Sequence, residues 1–159
     1  MTLLQLTRAI EDLAKNEPTV SSIVRNDILR LNAAPAVKYG AFAWTQGTHS
    51  VAGDMVSFQL YLYFVDRLMP SKENEVQAES VAISTLVHIL KGLEDVEDVD
   101  VGESSRIVPF SYRFADECAG AYTEVTVTVP VDYACNTAVP GLDGFENLDN
   151  DENILIRKP

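Results

Sequence analysis

Between Val56 and Phe64 the chain sets Val56, Phe58, Leu60, Leu62 and Phe64 at every second position, with Ser57, Gln59, Tyr61 and Tyr63 between them. Period two is that of a strand whose side chains point alternately to opposite faces. Tyr61 and Tyr63 put large amphipathic rings where a solvated face would carry Lys, Glu or Thr, so this second face is expected to meet another element or a neighbouring subunit. Asp66, Arg67, Pro70 and Ser71 close the strand, and Glu73, Asn74 and Glu75 bring negative charge to a position that favours a helix start. Along that helix Val76, Ser80, Ile83, Val87 and Leu90 recur at spacings of four and three, and Ala82, Leu86, Ile89 and Leu93 widen the stripe. The apolar arc then covers roughly half the circumference, which suits a helix lying flat on a sheet. The Val56 to Phe64 row is expected to pack on Ile83, Leu86, Val87 and Leu90.

The same reading extends to both sides. Leu3, Leu6, Ile10 and Leu13 predict an amphipathic helix over Thr2 to Lys15, which Pro18 ends. A short strand is expected near Val20 to Arg25, and a turn from Asn32 to Pro35. Tyr39 to Gln46 alternates as a strand with Phe42 and Trp44 on one face. Gly47 to Gly53 reads as a hairpin loop joining it to the strand at Asp54 to Leu68. The acidic run Asp95 to Gly102 reads as a solvated turn; it lacks the glycine and terminal Glu of a calcium loop. Val108, Phe110, Tyr112 and Phe114, then Val125, Val127, Val129 and Val131, alternate as two further strands linked through Asp116 to Gly120. Pro109 and Pro130 cannot donate to a ladder, which places each near a strand end or with its nitrogen facing outwards.

This order of elements predicts an α+β fold, a mostly antiparallel sheet with its helices packed on one side. Residues 1–135 are expected to form one domain. Residues 136–159, with Pro140, Gly141, Gly144 and many acids, are expected to be an acidic extension, flexible or docked on a partner through Ile154, Leu155 and Ile156. At 159 residues the chain is long enough to bury a core without disulfides or metals, and Cys118 and Cys135 are too few for a disulfide framework. No apolar run approaches the roughly 20 residues of a membrane span, and the start of the chain lacks a basic leader.

Net charge is −12 and the isoelectric point about 4.4, which argues against a reader of nucleic-acid backbones. An acidic wall also lets DNA pass without adhering to it. The chain has no P-loop, GxGxxG, HExxH or GxSxG, and no cofactor or metal is expected. His49 falls in the expected hairpin loop and His88 in the helix. Cys118 has Asp116 and Glu117 beside it, and adjacent carboxylates raise a thiol pKa, the wrong direction for a nucleophile. Asp66 and Arg67 read as an ion pair or cap. Catalysis is not expected.

The strings DMVSFQLYLYFVDRL, ENEVQAESVAISTLVHILKGL and IVPFSYRFADECAGAYTEVTVTVPV resemble those of small virion proteins of tailed phages and prophages of Bacteroidetes. The order helix, strand pair, helix, strand pair over about Leu3 to Tyr133 is similar to that of tail terminator proteins, also termed tail completion or head-tail joining proteins. The resemblance implies a structural protein of the virion, made in the host cytoplasm, that forms a ring, typically a hexamer. Its partners would be the tail tube and the neck or adaptor proteins, with DNA passing through unbound and no membrane involved. Candidate subunit contacts are then Tyr61, Tyr63, Ile154, Leu155 and Ile156. Other readings left open are a head-completion or tail-tube component, an acidic mimic of nucleic acid, and a small α+β enzyme with a pocket between sheet and helix.

Overall fold

The computed structural model describes residues 1–28, 37–102, 105–113, 117–131, 145–148 and 151–157. The fold is α+β, with two helices on one face of a largely antiparallel sheet. Helix α1 spans Leu3–Asn16, followed by β1 (Ser22–Arg25), β2 (Ala41–Ala52) and β3 (Met55–Arg67). Helix α2 spans Glu75–Glu94. Then come β4 (Asp100–Val101), β5 (Ile107–Arg113), β6 (Cys118–Pro130), β7 (Phe145–Leu148) and β8 (Asp151–Arg157). Among the described residues the sheet has eight strands in the order β4-β6-β3-β2-β1-β8-β7, and β5 pairs with β6 on the same side as β4. Every pairing is antiparallel except β1 with β2.

Thr2 starts α1 with a capping box: its hydroxyl accepts the Gln5 N–H at 3.3 Å, and the Gln5 side chain accepts the Thr2 N–H at 2.7 Å. The helix buries Leu6, Ile10 and Ala14, with Leu3 and Leu13 half-buried at the margin. Phe42 and Trp44 of β2, Phe58, Leu60, Leu62 and Phe64 of β3, and Val125, Val127 and Val129 of β6 share the face beneath the helices. The register agrees, since Phe42 lies opposite Phe64 and Trp44 opposite Leu62.

Three groups of expectations need correction, the first of them two segments read as loop or turn. Gly47 to Gly53 is not a loop: β2 runs on to Ala52, with a register shift between Gln46 and His49, and the chain reverses tightly at Gly53, whose φ of +60° suits glycine. The polar character of Gly47 to Ser50 reflects exposure instead. This half of β2 extends past β1, which pairs only with residues 41–44. Likewise Cys118 is not in a turn but is the first residue of β6, buried and opposite Arg67. Glu103, Phe114, Asp116 and Cys135 lie outside the described residues.

The face of α2 is the second correction. Ala78, Ala82, Leu86, Ile89 and Leu93 are buried, whereas Val76 is 77% exposed, Ile83 37% and Val87 39%. Leu86 and Leu90 do join the Leu62 row, but Ile83 and Val87 turn away from it. Small Ala78 and Ala82 let the helix approach the sheet closely, and the larger side chains fall on its flank.

The third concerns the C-terminal extension. Residues 145–148 and 151–157 belong to the sheet: β8 pairs with β1, with Ile23 opposite Leu155, and β7 pairs with β8. Leu155 is 2% exposed and part of the main core, so it is filled by this chain and not left for a partner. Apolar side chains on the free edge of β1 make that edge a better place for Leu155 than water.

Candidate interaction surfaces

The second face of the sheet changes character along its length. At one end Val24, Ala41, Ala43, Val65, Phe110 and Cys118 form a separate buried cluster, with Tyr39, Tyr63 and Tyr122 half-buried against it. Tyr63 stacks on Tyr122 with centroids 5.7 Å apart and planes at 26°, and Phe110 lies 6.4 Å from Tyr122. Of the two covers expected for this face, another element or a neighbouring subunit, Tyr63 meets the first, the Tyr122 ring of β6. Tyr61 sits half-buried opposite Glu124, where the face turns polar. Beyond it the Ser57 and Thr128 hydroxyls lie 2.9 Å apart, and the Gln59 amide donates to Glu124 while accepting the Thr48 N–H. Gln59 thus satisfies a backbone donor freed by the irregularity in β2.

The candidate contacts Ile154, Leu155 and Ile156 do not lie beside Tyr61 and Tyr63. They belong to β8, two strands beyond β2, and the side chains of Ile154 and Ile156 lie outside the described residues. The arm is anchored by Arg157. Its guanidinium donates to the carbonyl oxygens of Lys15 (2.7 Å), Val20 (3.1 Å) and Glu17 (3.4 Å). A cation at the C-terminal end of α1 complements carbonyls that the helix leaves unpaired.

An open groove of about 620 Å³ lies where β3 passes into α2, lined by Asp66 to Pro70, Asn74 and Glu117. Its polar groups hold the loop together. The Asn74 amide accepts the Met69 N–H and donates to the Arg67 carbonyl, and the Leu68 N–H donates to the Glu117 carbonyl. The Asp66 carboxylate accepts the Arg67 backbone N–H, whereas the Arg67 guanidinium lies 6.0 Å from the Tyr39 ring. The two residues thus form a local cap rather than a site in which acid, base and nucleophile converge.

His49 meets the edge of Phe58 at 5.2 Å, and His88 lies 3.3 Å from Glu17 on the surface. Among the described residues no three His, Cys, Asp or Glu side chains gather to hold a metal ion. No helix among them is long and apolar enough to cross a membrane.

Two features carry no signal in the sequence pattern. The first is the exposed flank of α2 formed by Val76, Ile83 and Val87, which periodicity assigned to the core. The second is a buried ionic clamp. The carboxylate of Glu11, on α1, accepts from Arg25 Nε at 2.7 Å and Nη2 at 2.6 Å, and from Trp44 Nε1 at 3.0 Å. Glu11 counts as a polar-face residue of α1 by sequence, yet it is 2% exposed. No family model matches this chain, and no curated protein matches it either.

Proposed function

We propose that this chain is a structural protein of a phage tail, a ring-forming completion protein seated where the tail tube meets the neck. The observation that carries the reading is the flank of α2. Val76, Ile83 and Val87 stand in water in a chain whose net charge is −12. Exposed apolar side chains grouped on one helix, with polar residues around them, mark a surface for association with protein. The flank faces outwards, so it is open to a neighbouring copy or to a tube subunit. The resemblance of its sequence to tailed-phage virion proteins supplies the setting for this reading, and the acidic balance supports a bore through which DNA slides without adhering.

Cryo-electron microscopy of purified particles from the host phage tests it. The expected result is a closed ring at the junction of tube and neck, with Val76, Ile83 and Val87 in a subunit boundary. Ile83→Asp should then leave thermal melting unchanged and abolish incorporation. Absence of the protein from particles, or isolated copies without rotational symmetry, would overturn the proposal.

A further inference from the structure

Strand β2 pairs with β3 along nearly its whole length, but with β1 only at its start. β1 covers residues 41–44 and stops where Asn26 takes a left-handed φ of 54°, which turns the chain off the edge. Among the described residues no strand pairs with the outer edge of β2 from Thr45 to Ala52, and Thr48 to Ala52 are exposed. Proteins blunt such an edge with charge, proline or an irregularity. Here residues 39–53 contain no Asp, Glu, Lys, Arg or Pro, in a chain of net charge −12. The irregularity between Gln46 and His49 comes before the last stretch, which runs in unbroken register from His49 opposite Phe58 to Ala52 opposite Met55.

The turn sets the hydrogen-bonding phase of that stretch. Gly53 and Asp54 form a two-residue turn whose first residue is left-handed, the type II′ form, so Ala52 and Met55 bond to each other. Alternation then aims the N–H and C=O groups of His49 and Val51 at the open edge. The Val51 side chain is a second mark on the same segment. It is 69% exposed, opposite Val56 and on the face where the His49 ring meets Phe58. A bare ladder and a bare valine thus coincide.

We propose that Thr48 to Ala52 is a joint between two copies of this chain, paired antiparallel across a twofold axis at Ser50 so that their sheets become one. In this register the outward groups of His49 face those of Val51 in the other copy, and each Val51 side chain is covered by the other copy's His49. Asp54 of one copy falls nearest Gln46 and Gly47 of the other and meets no acid there. Asp151, where β8 begins, stands level with Gln46, so β3 of the second copy passes clear of it. A partner bearing the same charge of −12 needs a neutral place to approach, and this edge supplies one. The contact is isologous: one segment serves both copies. It uses a surface other than the α2 flank, and the inference goes beyond the tail role without depending on it.

Sedimentation of the full-length protein at up to about 100 μM should show a dimer in equilibrium with monomer. Val51→Pro removes an outward N–H and no bond to β3, and Val51→Lys puts a charge on the edge. Each should weaken the dimer about tenfold or more and leave melting nearly unchanged. A covalent trap reads the axis itself. In a chain with Cys118 and Cys135 replaced by Ala, Ser50→Cys should oxidise to a disulfide-linked dimer, since residues facing each other across such an axis lie ~4.5 Å apart. Ser71→Cys, exposed beyond the other end of β3, should not. Monomer alone at that concentration would overturn the proposal, as would a dimer that neither Val51 substitution weakens. A dimer lost with Ile83→Asp instead would place the contact on the α2 flank, overturning this inference while leaving the tail reading standing.

Discussion

Glu11→Ala should destabilise the protein far more than a helix-surface substitution. The Glu11 side chain is 3% exposed and that of Arg25 15%, and two hydrogen bonds of 2.6 and 2.7 Å join them. Removing the carboxylate takes from a largely buried guanidinium the group that accepts two of its hydrogen bonds, and takes the acceptor from the Trp44 N–H. Breaking such a pair from one side costs about 3–5 kcal/mol, which lowers Tm by roughly 10 °C in a chain of this size. Glu11→Gln keeps an oxygen for Trp44 and loses only the charge, so its cost should be nearer 2 kcal/mol. Replacing both partners, Glu11→Leu with Arg25→Met, should cost less than Glu11→Ala, because the buried guanidinium is then removed together with the carboxylate that solvates it. Trp44 is the sole tryptophan, so its emission reports on the clamp directly during urea unfolding. A loss under about 1 kcal/mol for Glu11→Ala would refute the reasoning, as would a double variant whose loss equals the sum of the single ones.

Leu62→Asp puts a charge among fully buried side chains and should abolish cooperative melting by circular dichroism; wild-type melting would contradict the assigned faces. Leu155→Ala should cost about 2–5 kcal/mol in urea, since this side chain belongs to the main core; a neutral result would place the arm off the sheet. Gly120→Ala should fail to fold, because the added methyl would stand 2.0 Å from the Phe64 carbonyl oxygen, whereas Gly102→Ala, with its nearest contact at 3.5 Å, should express and melt almost normally.

Strict alternation made β3 and β6 legible, because both are covered on one face and paired on both edges along most of their length. The stripe Leu3, Leu6, Ile10 and Leu13 placed α1 for the same reason. Helix α2 was legible as an element but not in its orientation. It is apolar on two sides, and packing selected the side with Ala78 and Ala82, which hydropathy ranks below Val76 and Ile83. Residues 151–157 could not be read as a sheet strand from their own pattern, since what stabilises them is an edge about 130 residues away. The groove at Asp66 to Pro70 was marked in sequence only as the end of a strand. The Glu11 clamp was hidden because each of its three members lies on a different element.

The placement of β1 between β2 and β8 sets an order of events during synthesis. Ser22 to Val24 emerge early, whereas Ile154 to Ile156, their antiparallel partners, are polymerised about 130 residues later. At about 5–20 residues per second that interval is roughly 7–26 s. Throughout it the nascent chain carries a hydrophobic strand with one ladder of donors and acceptors unfilled, a template for pairing with any other extended segment nearby. On a polysome such segments are close at hand, so the yield of correctly folded chain should depend on translation speed and on chaperones that shield strand edges.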